Sequence, residues 1–324
     1  MAGSIAEKWR EIMGSDQWDG LLYPLDIDVD KTSLSIATWC KLLTGLVKGN
    51  QYKYQVTEFF DTTAKALWFK EKNWMGYVAV ATDEGKEKLG KRDIVIGWRG
   101  AVRELEWVKD IWVVLVPASE KFGSSSLSLF GVPMAHSGFL DLYKPARDKV
   151  LSAVSSLVEK YKNEEMSITV TGHSLGAALA TLNAADIDSH GLNKPKDLPN
   201  KSCPGTAIVL ASPRVGDDDF KKAFTSLQDL CLLRIRNNDD INLQVYLHGI
   251  AGTQGKDDFK LVVKRDLAQI NKGIGGLQDN KGIAPVSWWI EKNKRAWCNM
   301  MMALGNSMTM RVKMVGRTEF GWDC

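Results

Sequence analysis

Residues 167–182 read SITVTGHSLGAALATL, and the five at their centre, Gly172-His173-Ser174-Leu175-Gly176, constrain this chain more than any other feature. The run before them is rich in Ile, Val and Thr and predicts a strand, and the Leu- and Ala-rich run from Leu175 to Ala185 predicts the start of a helix. GHSLG fits G-x-S-x-G, placed after a predicted strand and before a predicted helix, the context of a nucleophile elbow. Such a turn is strained and packs tightly on the sheet, which is why the chemistry wants Gly172 and Gly176, with no Cβ at either place. It points the Ser174 hydroxyl into the open cleft above the strand ends, as a nucleophile requires. A Gly-Ser turn without chemistry is the competing reading. The flanking elements, and Ala177, Ala178 and Ala180 permitting close packing, argue against it.

Short runs rich in Val, Ile or Leu recur at 77–81, 93–98, 167–171, 206–211 and 231–236, and they predict strands buried on both faces. Ala146 to Tyr161 places Val150, Val154, Leu157, Val158 and Tyr161 at helical spacing. Strands alternating with helices predict an α/β class fold with a mostly parallel sheet flanked by helices, and the elbow makes it an α/β-hydrolase. We read one domain over 1–324, with a core at about 56–262 and an atypical tail at 295–324. The stretches 122–133 and 191–205 read as surface excursions, and 103–116 as a short amphipathic helix followed by a buried strand.

In this architecture the acid and then the base follow the nucleophile along the chain. Asp239 and Asp240 stand just past the run ending at Arg236, where the acid belongs; a solvated Asp-Asp turn is the bland alternative. Of the four histidines, His136 and His173 do not follow Ser174, and His173 on the elbow points away from it. His190 precedes the aspartates in a polar loop, which leaves His248 as the base by elimination. An oxyanion needs two backbone N–H donors. Leu175 supplies one by position and Ala101 the other, at the end of DIVIGWRGA, where Gly97 and Gly100 let the backbone approach.

Composition narrows the partners. With 42 basic and 39 acidic side chains, the net charge of +3 gives no field strong enough to imply nucleic acid or an anionic membrane, so contact with lipid must come from apolar surface. No run approaches the ~18 apolar residues of a membrane span, and the start MAGSIAEKWREIMGS has no leader character, so a cytoplasmic location is expected. The five cysteines, Cys40, Cys203, Cys231, Cys298 and Cys324, are scattered without metal-ligand spacing and read as reduced thiols. No cofactor and no metal is expected.

The chain resembles the type II group of plant phospholipases A1, within the class 3 lipases. The resemblance rests on PLDID (24–28), NWMGYVAVATDEGKEKLGKRDIVIGWRG (73–100), HSGFLDLY (136–143), SITVTGHSLGAALATLNAADI (167–187), ASPRVGD (211–217) and YLHGIAGTQG (246–255), in the family's order. It implies an acyl-hydrolase acting at the sn-1 position of phospholipids through a Ser-His-Asp mechanism, and transient contact with a membrane or lipid-droplet surface. Ser174 matches the nucleophile, and Asp240, three residues after Asn237, matches the acid. Residues 103–110 match the lid, with Leu105 and Trp107 as its apolar face.

Three departures stand out. Ala101 occupies a place where the family has Thr or Ser. Ile241 runs straight into Asn242-Leu243-Gln244, whereas the family inserts a Val-Pro turn, a long excursion and the catalytic histidine; His248 matches a second histidine of the YLHG block. The alternatives the residues leave open are a catalytically impaired lipid-binding scaffold and an esterase of another substrate class. Lastly, 31–46 and everything after Lys294 match the family least. Met300-Met301-Met302 read one base earlier encodes Asp-Asp, and with permitted codons 296–305 then spell Gly-Met-Val-Gln-His-Asp-Asp-Gly-Ser-Trp, the family's ending. This predicts a shifted reading frame there, which sequencing the transcript tests.

Overall fold

The computed structural model describes residues 3–22, 26, 28–29, 31–33, 35–36, 54–62, 73–100, 114–122, 131–236 and 313–315. In chain order the elements are α1 (Gly3–Glu7), α2 (Trp9–Ile12), β1 (Tyr54–Thr62), β2 (Asn73–Ala81), α3 (Asp83–Leu89), β3 (Arg92–Trp98), β4 (Leu115–Pro117) and β5 (Met134–His136). They continue with α4 (Ser137–Lys160), β6 (Met166–His173), α5 (Leu175–Ser189), β7 (Gly205–Leu210), α6 (Asp218–Ser226), β8 (Leu230–Arg236) and β9 (Lys313–Val315).

The main sheet runs β1-β2-β3-β6-β7-β8-β9. Strands β3, β6, β7 and β8 are parallel, while β1, β2 and β9 pair antiparallel. All five strands read from the sequence are present within a few residues at each end. Sheet and flanking helices make this an α/β-hydrolase fold.

Each face of the sheet has its own cover. Ile94, Ile96, Trp98, Ile168, Val170, Ala207 and Val209 pack under α4 and α5 through Val150, Val154, Ala178 and Leu182. On the opposite face Ile208, Leu210, Leu233 and Ile235 pack against Trp9, Ile12, Met13 and Trp18. Residues N-terminal to the 56–262 core thus seal one side of the sheet, tied to it by Thr206 Oγ1 donating to the Met13 carbonyl at 2.7 Å, while the Trp18 indole N–H braces the segment itself by donating to the Ile12 carbonyl at 2.8 Å. Fully burying a side chain of this size contributes about 1.5–3 kcal/mol.

Three expectations need correction. The helix expected from Ala146 begins at Ser137 and runs through Pro145, with His136 Nδ1 accepting the Gly138 N–H at 3.0 Å as its cap. The strand expected to be buried before residue 116 is β4, half exposed and paired with β5 in a two-stranded sheet among the described residues; Val114 beside it is 53% exposed. Phe122, placed in a surface excursion, is fully buried edge-on against Phe220 at 5.0 Å. The expected helix at 103–113, the rest of that excursion (123–130) and most of 31–46 and 295–324 lie outside the described residues, although β9 joins the sheet beside β8.

Candidate active site

Strand β6 ends at His173 and α5 begins at Leu175, so Ser174 alone makes the corner. Its backbone sits at φ +54°, ψ −120°, a region disfavoured for any residue with a Cβ and costing about 1–3 kcal/mol. The corner is held by the Ser174 N–H donating to the Leu210 carbonyl at 3.0 Å, and by the Ala177 N–H donating to the Ser174 carbonyl at 2.9 Å. A second strained residue, Ala211 at φ +49°, follows β7 next to it.

The two elbow glycines are required sterically, as the motif predicts. A Cβ on Gly172 would lie 2.1 Å from the Gly176 carbonyl oxygen, and one on Gly176 would lie 2.3 Å from that of Trp98. The backbone leaving β3 therefore presses directly on the first turn of α5. Gly100 extends this contact, since a Cβ there would lie 2.7 Å from the His173 carbonyl oxygen. Gly97 differs from its expected role: it lies within β3, and the space it leaves is filled by the Tyr77 ring, 2.9 Å from where a Cβ would stand.

Leu175 is the first residue of α5, where backbone N–H groups have no partner within the helix and the helix dipole favours negative charge. The Arg99–Gly100 backbone packs beside it, Arg99 against Gly176 and Gly100 against the His173 carbonyl, on either side of Ser174 in sequence. Ala101, Asp239, Asp240, His248 and the 103–110 segment with Leu105 and Trp107 lie outside the described residues. The other histidines have separate partners: His136 caps α4, and His190 ends α5 with Nδ1 3.0 Å from Asp186 Oδ1. Burial pushes the His136 imidazole below its usual pKa and the Cys203 thiol up to about 12, so both stay uncharged at neutral pH. Cys203 and Cys231 are in no disulfide, and the Cys231 thiol donates to the Gly14 carbonyl at 3.0 Å. Among the described residues no group of three or more His, Cys, Asp or Glu could hold a metal ion, and no helix is long and apolar enough to cross a membrane.

Sequence reasoning missed a buried polar cluster behind the site, in which Trp98, Tyr143, Arg147, Asn183 and Asp186 are joined by hydrogen bonds. Its one legible trace is Asn183 and Asp186, two polar residues three apart in a helix rich in Leu and Ala.

Residues 95–245 match the family model for Lipase (class 3). Phospholipase A1-II 1 of Oryza sativa subsp. indica is 38% identical over 378 positions, covering 90% of this chain and 93% of the relative. Phospholipase A1-IIgamma of Arabidopsis thaliana is 38% identical over 381 positions, covering 90% of each. A Rhizomucor miehei lipase in its propeptide complex superposes with a TM-score of 0.42 at 22% identity, over 62% of this chain and 56% of its own, so this chain spans little more than half of that one. The rice alignment is 378 positions long against the 324 residues of this chain, so at least 54 of its positions have no counterpart here. With 38% identity sustained over nine-tenths of its length, the chain belongs to the plant phospholipase A1 type II family of class 3 lipases, a family of lipid ester hydrolases.

Proposed function

We propose that this protein hydrolyses the sn-1 acyl ester of phospholipids with Ser174 as nucleophile, Asp240 as the triad acid and His248 as the base. The observation that carries the reading is the Ser174 corner itself: backbone at φ +54°, ψ −120° between β6 and α5, with Gly172 and Gly176 packed against backbone on either side, which supports a serine held out at the strand end. Ser174 Oγ attacks the acyl carbonyl carbon while the base takes its proton, and the resulting oxyanion lies between the N–H groups of Leu175 and Ala101. The C–O bond to the glycerol then breaks, the lysophospholipid leaves with the proton, and water attacks the acyl-enzyme to release the fatty acid. Phospholipid as substrate comes from the names of the rice and Arabidopsis relatives. A cytoplasmic enzyme that reaches lipid through the apolar face of 103–110, at a membrane or lipid-droplet surface, completes the proposal.

The test is fatty-acid release from a phosphatidylcholine labelled differently at its two acyl positions, with Ser174→Ala and His248→Ala beside the wild type. Release from sn-1 that falls by about 10⁶ in turnover in both variants is the expected result. A second reading, a lipid-binding scaffold without turnover, is favoured by the alignment positions this chain lacks and by Asn242 following Ile241 where the family histidine is due. No release from either position by folded protein selects it.

A further inference from the structure

Trp98 is the last residue of β3, and its carbonyl is one of the atoms pressed against Gly176 of the elbow. Its side chain points into the protein, fully buried, with the ring 4.6 Å from Phe60 and 5.5 Å from Tyr143. The indole N–H donates to Asn183 Oδ1 at 3.1 Å. Asn183 Nδ2 donates to the Tyr143 hydroxyl at 3.2 Å, and that hydroxyl donates to Asp186 Oδ2 at 2.9 Å. Arg147 closes the chain with a two-pronged contact, Nε to Oδ2 at 2.6 Å and Nη2 to Oδ1 at 2.7 Å of Asp186.

Every direction in this chain is determined. A carboxylate paired to arginine only accepts, so the Tyr143 hydroxyl must donate to it and has a lone pair left for the Asn183 amide; the Asn183 oxygen is then turned to Trp98. Burial first, and Asp186 beside it second, raise the Tyr143 pKa well above its usual value, so this donor does not ionise. Trp98, Tyr143, Asn183 and Asp186 are fully buried, and a buried polar chain is rigid only while each member is satisfied. A chain needed only to join helix α4 to helix α5 could stop at Asn183. This one continues to the residue whose backbone abuts the nucleophile corner.

We propose that Tyr143 and Asn183 are positioning residues: acting through the Trp98 indole, they hold the Trp98–Gly100 backbone against the Ser174 elbow and so set the oxyanion side of the site. The role rests on the reading of Ser174 as nucleophile, and its consequence is transition-state stabilisation rather than substrate binding.

Two readouts test it on the full chain. Tyr143→Phe, which keeps the ring and removes the link, is expected to lower kcat for phosphatidylcholine about tenfold with KM changed less than about twofold. Hydrogen exchange followed by mass spectrometry should show the amides of 98–100 and 174–176 exchanging about tenfold faster, with those of 92–95 unchanged. Asn183→Leu should reproduce the pattern more strongly; if it does not fold, Tyr143→Phe decides alone. Faster exchange spread evenly over α4, α5 and β3, no change at 98–100, or local loosening with kcat unaltered would each overturn the proposal. A wild type that turns over no ester removes the functional reading alone, because the exchange pattern still decides whether the link holds the loop.

Discussion

Asp93 and Ser174 stand at opposite ends of the β3–β6 pair and are buried to a similar degree, 3% and 7% exposed. At the Asp93 end the carboxylate accepts from Ser167 Oγ at 2.6 Å, Thr169 Oγ1 at 2.9 Å, the Tyr54 hydroxyl at 2.8 Å and Lys91 Nζ at 3.3 Å. At the Ser174 end two residues, Ser174 and Ala211, hold positive φ, and three glycines bring backbone against backbone. The Asp93 end gathers its hydrogen bonds on one carboxylate. The Ser174 end instead holds strained backbone at the strand-to-helix corner, which the rest of the sheet must offset.

The difference can be broken from either end. The largest stability effect is expected for Asp93→Ala, which leaves Lys91 buried and unpaired: about 3–5 kcal/mol lost in urea denaturation, with ester turnover per folded molecule unchanged. Gly176→Ala should cost about 1–3 kcal/mol through overpacking, and unlike Asp93→Ala it should also depress turnover, because the new methyl displaces the Trp98 carbonyl. Ser174→Gly should stabilise the fold by up to about 1 kcal/mol while turnover disappears, since glycine adopts φ +54° without strain.

The smallest effect belongs to Glu164, near the Asp93 end. Hydrogen bonding from Arg92 lowers its pKa below the usual 4.5, so its contribution is complete above that value and is lost as pH falls through the lower folded value. Glu164→Gln should therefore cost under about 1 kcal/mol at pH 7, the group being partly exposed, and should flatten the acid limb of the stability profile below pH 4.5.

The elbow and the strands around it were legible because their signals are local. Ile168 to Thr171, Gly172, Ser174, Gly176 and the alanines of α5 lie within one short stretch, so the motif and its flanking elements are read together. Strand β1 was missed because its pattern is muted: Gln55, Thr57 and Phe59 are exposed between the half-buried Tyr54, Val56 and Glu58, as befits an edge strand. Pro145 just before Ala146 imitates a helix start, and only the tertiary contacts of Phe139, Leu140 and Tyr143 carry α4 through it. The long-range features were unreadable. Trp18 covers a sheet face built from residues beyond 200, and Trp98 meets Asn183 across 85 residues.

The central claim is that Ser174 is an activated nucleophile, and the most direct test is reaction of the folded full chain with a fluorophosphonate, read by intact mass and peptide mapping. The account predicts a single adduct on the peptide holding Ser174, absent from Ser174→Ala. A folded protein that takes no adduct, or takes it at another residue, would contradict it.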